Sequence, residues 1–143
     1  MVTLAVIPAM EDFANAEAVA LAKKYDPHGR RTLDVVTKVD NVQVGSGIRG
    51  KLRMEPGHVQ PNLGFIAVVN RTPAEVDNDT PAEDVRAREQ NFFDSNPEVV
   101  GFEKEFRGLD TLVARVVVNQ AESVHEVSIG YGARREHRRC RVT

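Results

Sequence analysis

The sequence predicts an α/β fold in which a mainly parallel sheet lies between layers of helices. Short β-branched apolar runs alternate along the chain with helix-favouring segments, as in proteins built from strand–helix–strand units. Residues 63–69 are apolar at nearly every position, which is typical of a strand that is buried on both faces. The chain has 143 residues, enough for one domain.

The first two elements are predicted from apolar pattern and breakers. Residues 2–7 form an apolar run that ends at Pro8, so we expect a buried strand there. A helix is predicted over residues 16–24, which are rich in Ala and Leu and carry lysines in the last turn. Asn15 stands where its side chain could cap this helix.

The remaining elements follow in the same alternation. The sequence predicts a second strand, a short helix after a Gly-containing loop, a third strand, a charged helix, and a last segment whose pattern fits a helix or a strand. In order, these are residues 32–36, 48–54, 63–69, 83–94 and 109–118.

Composition excludes several classes of protein. The longest apolar runs have five residues, far below the roughly 20 that a membrane-spanning helix needs. A single cysteine, Cys140, cannot form an internal disulfide, so a cytoplasmic location is expected. The net charge is −2, although the last ten residues hold five Arg and one Glu. This charge balance argues against a nucleic-acid binder. Binding of nucleic acid through the Arg-rich tail is therefore the weakest of three functional hypotheses for this chain.

Thr37, Lys38 and Asp40 form a Thr-Lys-x-Asp pattern directly after an apolar strand. Guanine presents a ring N–H beside an exocyclic amine, and a single carboxylate, here that of Asp40, can accept from both. Adenine lacks this pair of donors, so a buried carboxylate facing it would stay unsatisfied at a cost of about 1–3 kcal/mol. Lys38 could lay its aliphatic stem along the base while Thr37 braces the turn. Taken alone, the pattern also fits an ordinary exit from a strand.

Several further motifs occur in one order along the chain and make the pattern more specific. They are AVIPAMEDFA at residues 5–14, DPHGRRT at 26–32, VTKVD at 36–40, GFIAVVNRT at 64–72 and REQNFF at 88–93. In this order they resemble the GTPase domain of the dynamin family, and the resemblance covers about residues 2–117.

The resemblance implies roles for particular residues. Lys38 and Asp40 would bind the guanine base of GTP, while Asn70 and Arg71 would close the other side of the base pocket. Asp12 matches an acidic position that contributes to contacts between two GTPase domains in the family. Pro73 and Gln43 depart from the family pattern at positions where family members meet, which puts dimer-stimulated hydrolysis in question.

The motifs above do not include residues that would bind the phosphates of a nucleotide. Phosphate chemistry needs a Gly-rich loop, a Lys, and a Ser or Thr on magnesium, and in the family these lie upstream of Val2. The resemblance therefore implies a partial P-loop NTPase-like (Rossmann-like) three-layer sandwich: residues 1–117 would be the base-binding half of a GTPase domain and residues 118–143 an irregular Arg-rich tail. Mg²⁺ would bind only in the intact family domain.

Residues 45–51 match the spacing of a phosphate-binding loop, but Leu52 stands where the Ser or Thr that binds magnesium is required. We therefore predict a flexible loop there.

The main hypothesis is a dynamin-like GTPase fragment, from a class that couples GTP hydrolysis to membrane remodelling or fission. This chain itself is expected not to hydrolyse GTP, and its membrane association would be indirect, at membrane or organelle surfaces. The alternative is a non-catalytic interaction module that acts on a full-length dynamin-like relative through loops near Asp12 and Arg71. A sheet without its phosphate-binding strands would have an unpaired apolar edge, so self-association is also expected.

Overall fold

The computed structural model describes residues 2–13, 15–43, 45–48, 50 and 63–122. Within these residues, three parallel strands form a sheet in the order β1-β2-β3. They are β1 (Thr3–Pro8), β2 (Thr32–Thr37) and β3 (Phe65–Ala67). The predicted α/β class with a parallel sheet is confirmed.

Besides the helical residues 48 and 50, four helices connect and cover these strands in the described part of the chain. They are α1 (Glu17–Tyr25), α2 (Pro73–Asp77), α3 (Ala82–Ser95) and α4 (residues 109–122). Two 3₁₀ turns, Val39–Asn41 and Lys104–Phe106, complete the path. The predicted helix over 83–94 is thus confirmed, since it matches α3 to within a residue at each end. None of the described helices is long and apolar enough to cross a membrane.

β2 is the centre of the fold, and all six of its residues are buried. On one face, Leu33 and Val35 pack with Ile66 of β3 and with Leu112 and Val116 of α4. Full burial of a large apolar side chain such as Leu33 or Ile66 contributes about 1.5–3 kcal/mol, and the partly buried Leu112 and Val116 contribute less. Leu112 and Val116 are one helical turn apart, which explains why a segment rich in β-branched residues folds as a helix rather than a strand.

The opposite face of the sheet is covered by other elements. Val36 and Phe65 belong to a cluster with Phe93 of α3, and Ile7 of β1 packs with Val19 of α1. Helices therefore lie on both faces, as the apolar run at residues 63–69 indicates.

The third strand is shorter than predicted. Gly64 has a positive φ of 78°, so the extended backbone begins only at Phe65. At the other end, the Ala67 carbonyl accepts from the Gly108 N–H at 2.8 Å, while the Val68 N–H still donates to Val36. The predicted strand over 63–69 is therefore too long at both ends: the local conformation of Gly64 delays its start, and beyond Ala67 the Val69 N–H donates to the Glu89 side chain rather than to β2.

Two further predictions need correction. Asn15 does not cap α1, because its side-chain amide donates to Asp12 Oδ2 at 2.7 Å and the N-cap residue is Ala16. Residues 118–122, assigned from sequence to an irregular tail, continue helix α4. The rest of that tail and most of the predicted helix over 48–54 lie outside the described residues.

Glu89 joins three elements through one buried carboxylate. Oε1 accepts from the Val69 N–H just beyond β3 at 2.8 Å, and Oε2 accepts from the Leu109 N–H at the start of α4 at 2.9 Å. The first bond is buried and the second is partly buried, so water competes little with the first and only in part with the second. The helix α3 therefore fixes both the end of the sheet and the helix that covers it.

Replacing Glu89 with Gln should lower the free energy of unfolding by about 1–3 kcal/mol, because Gln has a single carbonyl oxygen and leaves one of the two N–H donors facing an NH₂ group. Urea unfolding followed by circular dichroism measures this change. Glu103→Gln, which alters an exposed carboxylate, serves as the control and should stay within about 0.5 kcal/mol of the parent. Equal stability of the two variants would contradict the bridging role.

Asp34 is a buried carboxyl in the central strand. It is 8% exposed, and none of the described residues donates a hydrogen bond to its carboxylate. Burial raises the pKa of Asp34 to about 6, and the positive charge of Lys23 offsets this only in part. Since the folded pKa exceeds the unfolded value of 3.8, the unfolded state releases this proton first as pH rises.

Asp34 should therefore cost the parent protein stability between pH 4 and pH 6. Relative to Asp34→Asn, the free energy of unfolding of the parent should fall by about 1–2 kcal/mol across this window and stay low at higher pH. Unfolding curves of both proteins at pH 4, 5, 6 and 7 measure the difference, which removes the contribution of the other carboxylates. A difference that is constant with pH would refute the assignment.

Candidate functional site

The candidate site residues lie at the carboxyl edge of the sheet. Because the strands are parallel and Val36 pairs with Ala67, the segments that leave β2 and β3 emerge side by side. Thr37, Lys38 and Asp40 belong to the first segment, and Asn70 and Arg71 belong to the second. The topology thus brings both predicted groups to one edge.

A sharp turn follows β2. Thr37 is buried, and its carbonyl accepts from the Ala9 N–H at 2.8 Å. Lys38 then adopts a left-handed conformation, with φ 58° and ψ 33°, which costs about 1–2 kcal/mol for a residue with a side chain. Val39 is buried and anchors the 3₁₀ turn that contains Asp40. Backbone conformations of this kind cluster at functional sites, where the surrounding structure holds them.

Asp40 is half-buried in this turn. None of the described residues gives its carboxylate a hydrogen bond or an ion pair, in contrast to Asp26 at the opposite edge of the sheet. Two backbone N–H groups and the Thr32 hydroxyl donate to Asp26. Burial alone would raise the pKa of Asp26, but these hydrogen bonds together lower it. Asp40 is therefore a carboxylate that can accept hydrogen bonds from a ligand, whereas Asp26 serves the fold.

Two segments border the candidate site at this edge: the turn of residues 38–41 after β2 is the first wall, and residues 69–72 after β3 are the second wall. The side chains of Asn70 and Arg71 are exposed, and no partner for either is found in the described part of the chain. Their backbone, in contrast, is held firmly. Arg88 donates to the Asn70 carbonyl at 2.8 Å, and Glu89 accepts from the preceding Val69 N–H.

A cavity of about 260 Å³ lies behind this wall, between the end of β3 and helix α3. Its lining includes Asn70, Arg71, Arg86 and Glu89, but not Lys38 or Asp40. A larger cavity of about 370 Å³ lies at the opposite, amino-terminal edge of the sheet and includes Arg30 and Arg31. The candidate site is thus an open surface between two loops rather than a closed cavity.

Asp12 lies in the loop that follows β1, and its Oδ2 accepts from the Asn15 amide at 2.7 Å. Because β1 runs parallel to β2, this loop leaves the sheet at the same edge as the turn containing Asp40. The role of Asp12 in contacts between two domains stays a prediction.

Sequence reasoning missed the side chains that hold the second wall. Thr72 and Glu75 form a capping box at the start of α2: the Thr72 hydroxyl accepts from the Glu75 N–H, and Glu75 accepts from the Thr72 N–H at 2.7 Å. Pro73 occupies the first position of this helix, where a proline is favoured. The Thr-x-x-Glu spacing was the signal that could have located this cap.

The glycine-rich segment after the Asp40 turn does not present a free phosphate cradle in its described part. Gly45 and Gly47 have positive φ angles, but the Gly45 N–H donates to the Glu98 carboxylate at 3.0 Å. The Glu98 carboxylate thus already accepts from one of the N–H groups that a phosphate would need. Residues 44, 49 and 51–62 lie outside the described residues.

Comparison with known proteins gives a consistent set of relatives. No protein-family model matches the chain. It is 39% identical over 94 residues to Dynamin-1 of Rattus norvegicus, 37% over 97 residues to Dynamin-B of Dictyostelium discoideum, and 37% over 97 residues to Dynamin-related protein dnm1 of Schizosaccharomyces pombe. These alignments cover 66–67% of this chain and 10–12% of the relatives. The chain thus spans about a tenth of the length of the curated relatives it matches.

Proposed function

Over the aligned two-thirds of its length this chain belongs to the dynamin family, and we propose that it carries the guanine-recognition part of a dynamin-like GTPase domain. The observation that carries the proposal is Asp40. Its carboxylate has no partner among the described residues. The turn that contains Asp40 begins at left-handed Lys38 and leaves the sheet beside the segment of Asn70 and Arg71. The ligand is a guanine nucleotide, GTP in the intact domain.

The chemistry assigns each side chain a task. The two oxygens of Asp40 accept from the ring N–H and the exocyclic amine of guanine. The aliphatic stem of Lys38 covers one face of the base, and buried Thr37 holds the turn in place. Asn70 and Arg71 close the other side of the pocket. Adenine offers no matching pair of donors, so binding of adenine would leave the Asp40 carboxylate without hydrogen bonds. This cost favours binding of guanine.

Hydrolysis needs more than base recognition. Transfer of a phosphoryl group to water depends on backbone N–H groups around the phosphates, on Mg²⁺ and on a positioned nucleophile. The 143 residues contain no phosphate-binding loop with a Ser or Thr for the metal. In this proposal, the present chain selects the base, and an intact GTPase of this family performs hydrolysis coupled to membrane remodelling or fission. The proposed location is the cytoplasm and membrane surfaces.

Asp40→Asn should reverse the base preference. The Asn side chain offers one acceptor and one donor, which suits xanthine because xanthine carries a carbonyl where guanine carries the exocyclic amine. We expect guanosine monophosphate to bind the parent at least 10-fold more tightly than xanthosine monophosphate, and the variant to lose or reverse this preference. Titrations followed by ¹H–¹⁵N NMR measure both affinities.

Asp79→Asn, which alters an exposed carboxylate on the loop after α2, is the matched control and should bind like the parent. Unchanged guanine preference in Asp40→Asn would overturn the assignment of Asp40, and so would loss of binding in both variants.

The purified 143-residue chain should not hydrolyse GTP, because base recognition alone supplies neither the metal nor the attacking water. Release of inorganic phosphate at saturating GTP and Mg²⁺ should equal the buffer blank. Turnover above the blank that disappears in Asp40→Ala would contradict this prediction.

The exposed edge of β1 favours a second candidate function, a non-catalytic interaction module. Leu4 and Val6 are 43% and 52% exposed although they pair with the buried Leu33 and Val35. They therefore extend the apolar face that α4 covers further along the sheet. An uncharged parallel strand with an exposed apolar face can pair with another chain, either a second copy or a dynamin-like relative.

Val6→Lys should suppress self-association of the 143-residue chain, because a charge on an edge strand opposes pairing. Val76→Lys replaces a similarly exposed valine on α2 and serves as the control. Sedimentation velocity should show oligomers for the parent and the control and a monomer for Val6→Lys. A monomeric parent at 100 μM would rule out self-association through this edge.

A further inference from the structure

We infer that Arg88 and Glu75 are positioning residues for guanine binding, because together they fix the backbone that presents Asn70 and Arg71 to the base. The inference rests on the proposed function and extends it to two side chains that do not themselves contact the nucleotide.

Arg88 links helix α3 to the wall after β3. Its Nη2 donates to the Asn70 carbonyl at 2.8 Å, and its Nε lies 2.6 Å from Glu75 Oε1. The side chains of Arg88 and Glu75 are only 33% and 18% exposed, so water screens this pair less than it screens a surface ion pair. One guanidinium thus holds both the wall and the helix that follows it.

Glu75 completes the arrangement from the other side. Its Oε2 accepts from the Thr72 N–H at 2.7 Å and from the Thr72 hydroxyl at 3.0 Å. The N–H of Thr72, followed by the Thr72 hydroxyl and then the charge of Arg88, lowers the pKa of Glu75 despite the opposing effect of burial, so the acceptor stays ionised at neutral pH.

The backbone of residues 69–72 is therefore fixed at three points. Glu89 holds the Val69 N–H, Arg88 holds the Asn70 carbonyl, and Glu75 holds Thr72. Between these points, the side chains of Asn70 and Arg71 are left exposed. A loop that is held by its backbone while its side chains are free is suited to ligand binding, because less conformational freedom is lost when the ligand arrives.

Nearby Arg86 supplies a matched comparison. It lies on the same helix and forms an ion pair with Asp110 at 3.1 Å, but both side chains are mostly exposed and no hydrogen bond joins Arg86 to the backbone of residues 69–72 in the described structure. Removing Arg86 changes the charge of α3 by the same amount without releasing the wall.

The experiment is a ¹H–¹⁵N NMR titration with guanosine monophosphate of the 143-residue parent, Arg88→Ala, Arg88→Lys and Arg86→Ala. In Arg88→Ala, we expect the dissociation constant to rise roughly 5- to 10-fold, the loss of about one hydrogen bond. The amides of residues 38–41 should still shift on titration, whereas those of 69–72 should respond much less. Arg86→Ala should match the parent, and Arg88→Lys should restore part of the affinity.

Hydrogen exchange separates positioning from general destabilisation. The Thr72 amide should exchange faster in Arg88→Ala, while the Val68 amide, which is bonded to Val36 of the central strand, should be unaffected. If Arg88→Ala does not fold, Glu75→Gln tests the same arrangement and should give the same pattern.

The inference would be overturned if Arg88→Ala and Arg86→Ala bound guanosine monophosphate with equal affinity. If Arg88→Ala does not fold, equal affinity of Glu75→Gln and the parent would overturn it. Either result would leave the proposed function standing. If the parent shows no response to guanosine monophosphate at residues 38–41, the proposed function fails and the inference fails with it.

Discussion

The carboxylate of Glu89 is the interaction on which this part of the fold depends. It accepts one hydrogen bond from the end of β3 and another from the start of α4, so a single buried carboxyl group from α3 links the end of the sheet to the start of its covering helix. Each of its two oxygens has a backbone donor, which meets the requirement that a buried polar group be hydrogen-bonded. Hydrophobic burial supplies most of the stability, but this bridge determines the position of the segment that becomes the second wall of the candidate site.

The two walls of the site use different physical means. The first wall combines local backbone geometry with core packing, since left-handed Lys38 and the following 3₁₀ turn carry Asp40 while Val39 packs in the apolar cluster that contains Phe65 and Phe93. The second wall depends on long-range contacts, because Glu89 and Arg88 reach it from α3 and Glu75 reaches it from α2.

The sequence is sufficient to predict those helices and strands whose positions depend on the local residue pattern. The strand around Val35 and the helix α3 were located to within a residue, and parallel topology alone implied that Asp40 and Asn70 would share one edge. What it could not supply depends on contacts between distant residues. The backbone bond from Gly108 to Ala67 and the bond from Arg88 to Asn70 both join residues far apart in the sequence, and from sequence alone Arg88 is one more surface charge on a helix. The missed cap of α1 is a different case, because Asn15 donates to nearby Asp12 instead. The role of Asp40 rests on family resemblance and on chemistry, and stays a prediction.

A crystal structure of the chain with guanosine monophosphate is the decisive measurement for the role of Asp40. The base should lie at the carboxyl edge of the sheet, with both Asp40 oxygens about 2.7–3.2 Å from the ring nitrogen and the exocyclic amine. Density for the base elsewhere, such as in the cavity beside Arg30 and Arg31 at the amino-terminal edge, with Asp40 left in solvent, would contradict it.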